Sequence, residues 1–239
     1  MKIKLYDKIE KGATIIEGFP GIGLIGTITT EFLIEHLNAE FVGHFEYDEF
    51  PATAAVHKGK LVHPMGVFYD KKNNIVLLHT ILSSTNLEWK IAKAILDFSN
   101  KIKAKEIISV EGVASSVPLK NSNMFYFSTN DNHSKKLKSM KLNPLVESII
   151  VGVTSALLLK NQNQNLTCLF AQTSSTLPDS KGAAKVIEVL DKFVGLNVDY
   201  KPLLKQAKVF EDKLKTMLAT AKDPSKPDDM SKQQMSYVG

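Results

Sequence analysis

The sequence predicts an α/β fold, a mostly parallel sheet flanked by helices with inserted hairpins and a C-terminal helix. Three observations carry this expectation. Short apolar, β-branched runs alternate with helix-period segments from residue 13 to about 195. A strand, a glycine-rich turn and a helix follow one another at residues 13–37, as in the opening half of a βαβ unit. Two pairs of strand-like runs, joined by short polar links, lie between residues 53 and 81 as hairpins.

Ala13-Thr14-Ile15-Ile16 forms the first predicted strand, and Glu17-Gly18-Phe19-Pro20-Gly21-Ile22-Gly23 breaks it with four turn-formers, Gly18, Pro20, Gly21 and Gly23. Leu24 to Leu37 has helical spacing, with Leu24, Ile25, Ile28, Phe32, Leu33 and Leu37 apolar. Gly21, Gly23 and Gly26 match the G-x-G-x-x-G dinucleotide fingerprint. In that fingerprint the first glycine ends the strand directly. Here Gly18-Phe19-Pro20 intervenes, and Pro20 removes a backbone donor. The acidic ribose partner would fall at Glu46 or Asp48. The alternative is a structural turn in which glycine lets the helix pack closely on the sheet.

Downstream, residues 41–45 read as a strand and Tyr47-Asp48-Glu49-Phe50-Pro51 as an aromatic-acidic loop. Residues 53–57 and 60–63 flank Lys58-Gly59 as one hairpin; 66–69 and 75–81 form the second. Asn86 is placed to cap a helix running to Lys101. Strands are expected at 106–111, 124–128, 147–151 and 166–172, with a lysine-rich helix over 130–140. Periodicity leaves 152–160 open between helix and extended chain. A helix from Leu177-Pro178-Asp179 to Phe193 has Asp179 at or near its N-cap. The chain divides into an α/β domain at 1–200, an amphipathic helix at 201–221 and a flexible Pro/Asp/Lys tail at 222–239.

Composition narrows the chemistry. All 30 basic residues are lysine. Bidentate phosphate clamping and guanine readout lean on arginine, so its absence argues against a nucleic-acid binder. No apolar run reaches the length of a membrane span, the N-terminus lacks a signal-peptide core, and Cys168 sits alone in an apolar run, so a cytoplasmic protein is expected. The six histidines lack metal-ligand spacing, although His57 and His63 flank a hairpin and could face one another. There is no G-x-S-x-G elbow, and Ser115-Ser116 and Ser174-Ser175 lie in polar loops. Glu17 ends a buried strand: it either accepts backbone N–H bonds from the turn or carries a raised pKa suited to catalysis. No catalytic residue, metal site or cofactor is assigned.

The block Gly18-Phe19-Pro20-Gly21-Ile22-Gly23-Leu24-Ile25-Gly26, with Phe50-Pro51-Ala52, Pro64, Gly112, Gly152, Leu177-Pro178-Asp179 and Ala183-Ala184, resembles the proteasome assembly chaperone family over about residues 13–205. The resemblance implies an archaeal-type member with a nucleoside-phosphorylase-like fold and no phosphorylase active site. It also implies a homo-oligomer that binds proteasome α-subunits or the core particle through a C-terminal hydrophobic–tyrosine–any tripeptide. Here Tyr237, Val238 and Gly239 end the chain, so tyrosine stands third from the end. These three are the expected partner-binding residues. The alternative function is an enzyme or ligase that takes a nucleotide-like ligand at the turn from Gly18 to Gly26.

Overall fold

The computed structural model describes residues 1–48, 53–57, 60–82, 85–114, 123–173 and 178–202, the side chains of residues 55, 57, 60 and 62 aside. The expected features at 49–52, 115–122 and 174–177, the C-terminal helix from 203 onward and the tail lie outside these residues.

Four parallel strands make the centre of a nine-stranded sheet: β7 (Ile75–Thr80), β2 (Thr14–Gly18), β8 (Glu106–Ala114) and β11 (Leu166–Thr173), in that order. They are apolar almost throughout because both faces are covered. Side chains alternate across the sheet. Ile16, Ile108 and Leu169 meet α1 (Ile25–His36) and α5 (Ser180–Leu190) on one face. Ile15, Ile107 and Phe170 meet α2 (Glu88–Ile102) and α4 (Gly152–Lys160) on the other. Outside β7, β6 (Met65–Asp70), β3 (Glu40–Glu46) and β1 (Lys2–Leu5) add antiparallel strands. On the far side β9 (Met124–Ser128) runs antiparallel to β11, with the two-residue β10 (Asn143–Pro144) parallel to β9 at the edge. Strands β4 (Ala55–His57) and β5 (Lys60–Val62) form a separate two-stranded ribbon. The short helix α3 (Asp131–Ser139) is capped by Asn130, which accepts from the backbone of Asn132 and His133.

Several expectations require correction. Residues 147–151 are not a strand: both edges of β11 are already taken by β8 and β9, so this apolar run has no partner in the core. Gly152, at φ 84°, then turns the chain into α4, which settles 152–160 as helix. Asn86 does not cap α2; it is left-handed at φ 69°, and Leu87 precedes the helix with no side-chain cap. Asp179 does cap α5, accepting from Gly182 N at 2.8 Å, but the α-helix ends at Leu190 and widens into a π turn over Asp191–Gly195. The edge strand β1 went unpredicted because Lys-Ile-Lys-Leu is short and half-exposed. Among the described residues no helix is long and apolar enough to cross a membrane.

Candidate functional site

Strands β2 and β8 lie side by side and send the chain in opposite directions, β2 through α1 toward β3 and β8 toward β9. Such a divergence opens a crevice beyond the carboxyl ends of parallel strands, the usual ligand position in α/β sheets. Register places Glu17 opposite Ser109 at that point. The period-2 alternation turns Glu17, Ser109 and Glu111 toward the α2/α4 face, where Thr154 near the start of α4 meets them.

These groups form one hydrogen-bonded chain. Ser109 Oγ donates to Glu17 Oε1 at 2.5 Å and lies 2.7 Å from Thr154 Oγ1. Thr154 in turn bonds the Glu111 carboxyl. Burial pushes Glu17 up to about 8; the nearby Glu111 charge adds to the rise, while bonds from Ser109 and the Phe19 backbone oppose it. Both readings of Glu17 therefore meet in one residue: it accepts a backbone bond from the turn and holds its proton into the neutral range. Burial also pushes Glu111 up to about 7, against the Thr154 bond. Glu111 Oε2 is buried without a hydrogen-bond partner among the described residues. Two carboxyls with proton affinities near neutrality can take up or release a proton at physiological pH. Burial, then the charges of Glu17 and Glu111, push the Cys168 thiol well up and leave it inert.

The glycine turn lies directly on the strand ends. A Cβ on Gly18 would stand 2.2 Å from the Gly26 carbonyl oxygen, and one on Gly112 would stand 2.0 Å from that of Ile22. Gly23 takes φ 68° and Leu24 φ 50°, and the Gly23 carbonyl accepts from Asp179 N at 2.8 Å. Thr30 Oγ1 sits under the turn, 3.1 Å from the Gly26 carbonyl and 2.9 Å from His79 Nδ1. The α1 N-terminus carries no side-chain cap. The expected ribose partner Glu46 is remote from this turn, two strands beyond β2's neighbour β7, where it pairs with Lys2 at 2.8 Å.

The remaining candidates are dispersed. His63 stacks on His44, with centroids 3.7 Å apart and planes at 9°, and Tyr6 Oη lies 2.7 Å from His44 Nδ1. The side chain of His57 lies outside the described residues. Among those residues no group of His, Cys, Asp or Glu is arranged to hold a metal ion. Tyr237, Val238 and Gly239 also lie outside them. Ser109, Glu111 and Thr154 escaped the sequence reading. A carboxylate beside Gly112 at the end of the predicted strand 106–111 is the one signal that could have found them.

The PAC2 family matches residues 15–218. A protein of Methanocaldococcus jannaschii is 29% identical over 220 residues, covering 91% of this chain and 90% of its own length. PbaA of Pyrococcus furiosus, described as an archaeal homolog of proteasome-assembly chaperone, superposes with a TM-score of 0.84 at 28% identity, covering 94% of this chain and all of its own. PbaB of the same organism, an archaeal proteasome activator, gives a TM-score of 0.73 at 23% identity over 91% of this chain and 98% of its own.

Proposed function

Because the chain belongs to the PAC2 family, we propose that it is a proteasome assembly chaperone-like protein that binds proteasome α-subunits or the core particle as a homo-oligomer. The likeness to PbaA, which spans the whole of that protein, is the observation that carries this reading. The chemistry agrees with a binding role. The turn sets backbone against backbone where a dinucleotide's phosphates would need to approach, and the chain has no arginine with which to clamp them. Large apolar side chains stand open on the ribbon β4–β5 and on residues 146–151, the kind of surface that protein partners cover. Tyr237 and Val238 supply a second, apolar contact with the partner, together with Gly239.

The test is capture of the purified core particle, and separately of its α-subunits, by the tagged full-length chain. Retention of either is expected; passage of both through the column defeats the proposal.

A second reading, a small-molecule enzyme, is favoured by the Glu17–Glu111 pair at the crevice between β2 and β8. A thermal-shift panel separates the two. A nucleotide at 100 times its Kd stabilises by ~2.7 kcal/mol, and the chaperone reading predicts no such shift.

A further inference from the structure

Two histidines stack near the edge of the sheet, one from a strand and one from the chain that leaves it. His44 is buried on β3, in register with Lys4 of β1 and with Gly66 of β6. His63 lies exposed in the link between β5 and β6. Their ring centroids are 3.7 Å apart and their planes 9° from parallel. Gly66 puts no side chain beside His44, which leaves the face of that ring open to His63. Phe41 lies parallel to His63 at 6.4 Å. Tyr6 Oη stands 2.7 Å from His44 Nδ1 and 3.4 Å from His63 Nε2.

The ribbon β4–β5 takes no part in the nine-stranded sheet. Its Val56 and Leu61 are 57% and 74% exposed, so they do not fasten it to the core. His63 ties the β5 end of the ribbon to the sheet through Tyr6, Phe41 and His44.

The tie tolerates one proton more readily than two. Tyr6 carries a single hydroxyl hydrogen. It can donate to His44 Nδ1 and accept from His63 Nε2, or the reverse, so the three groups can absorb one added proton. A second leaves two imidazolium rings face to face, and like charges that close repel. The neighbours give little relief. Glu46 opposes the repulsion but is shared with Lys2 at 2.8 Å, and Lys4 adds positive charge beside His44. His79, on β7 beyond Gly66, is engaged with Thr30 Oγ1 at 2.9 Å.

We propose that the His44–His63 stack is an acid-sensitive clasp on the β5 end of the ribbon, closed while the pair carries at most one extra proton and open when it carries two. Histidine is the side chain that changes charge in the physiological range. A two-stranded ribbon without support is marginal in water. The open state therefore loses the β4–β5 ladder while the nine-stranded sheet stays folded.

Hydrogen exchange on the full-length chain tests it, with rates corrected for the intrinsic effect of pH. Wild type is expected to protect the amides of residues 60–62 at about pH 8 and to lose that protection at about pH 5, while β6 and β7 keep theirs. His63→Phe keeps a flat ring on His44 but cannot take the second charge, so its ribbon should stay protected at both values. His63→Ala removes the stack and should leave the ribbon open at both. His57→Asn and His79→Asn should respond to acid as wild type does. His63 is exposed, and unchanged circular dichroism checks the fold; His63→Tyr replaces His63→Phe if that variant aggregates. Equal wild-type protection at the two values, a His63→Phe ribbon that opens in acid, a His63→Ala ribbon that stays closed, or a response abolished in either Asn variant overturns the clasp.

Discussion

Ser109 Oγ donates to the Glu17 carboxyl at 2.5 Å, joining two register partners on neighbouring parallel strands. Through Thr154 the bond extends to Glu111, so two buried carboxyls 94 positions apart in the chain answer to one network. Nothing in the described residues pairs either carboxyl with a cation. Burial therefore favours the protonated form of both.

That arrangement makes stability depend on pH in a stated direction. Glu17 holds its proton more tightly folded than unfolded, with its value raised to about 8. Its contribution is fully present below the ordinary carboxylate value of 4.5 and is lost as pH rises through about 8. Wild type should lose on the order of a few kcal/mol between pH 5 and pH 9 from this residue. Glu17→Gln, which is neutral at every pH, should flatten the curve and exceed wild type at the alkaline end. Urea melts across that range check it; parallel curves for the two proteins would show Glu17 to be ionised throughout.

Gly12, before β2, and the glycines of the turn should separate into two classes. Gly18→Ala sets a methyl against the Gly26 carbonyl, backbone that cannot move aside, and should cost about 3 kcal/mol or abolish soluble expression. Gly12→Ala meets nothing within 4 Å and bears only the strain of φ 77°, about 1 kcal/mol. Gly23→Val combines φ 68° with Thr173 Cγ2 at 3.1 Å and should behave like the first class. Thermal melts of the three variants check the ranking.

Thr30 ties α1 to β7 by bonding both the Gly26 carbonyl and His79 Nδ1. Thr30→Val preserves the shape and removes the bonds in a fully buried position. The loss should be about 1–2 kcal/mol. A denaturant midpoint equal to that of wild type would show the hydroxyl to be dispensable.

His44 should titrate below the ordinary histidine value. Burial, then the charges of His63 and Lys4, disfavour its imidazolium, with Glu46 opposing. Tyr6 Oη bonds its Nδ1, and His63 lies flat against it. Histidine that stays neutral in the fold costs stability as pH falls below about 6.5, where the unfolded chain takes up the proton. NMR titration of the imidazole resonances reads the value directly, and an apparent pKa above 6.5 would contradict the packing.

Deleting 236–239 should leave the thermal melt and the oligomer mass unchanged while weakening retention of the core particle. Surface plasmon resonance with immobilised core particle measures the difference. Equal affinity after the deletion would assign recognition to the α/β body alone.

Local chemistry was enough for much of this protein. The strands at 13–16, 106–111 and 166–172 are legible because apolar side chains such as Ile15, Ile16, Ile107, Ile108, Leu169 and Phe170 stand on both faces of each, and both faces are buried. Asp179 caps its helix, as read from the sequence, because its side chain reaches a backbone donor three residues on. The glycine block and the family it resembles were likewise legible, since close packing leaves room for glycine and nothing larger. What depended on partners distant in sequence was not legible. Residues 147–151 carry strand-like Ile149-Ile150-Val151, but both edges of β11 are taken by β8 and β9, and Asn86 lost its capping role to a left-handed backbone. Ser109, Glu111 and Thr154 became a network with Glu17 only because a crossover helix, α2, sets β8 beside β2 and the chain returns through α4 to cover both. Proton affinity followed from that burial, and burial is a property of the assembled layers, not of any one segment.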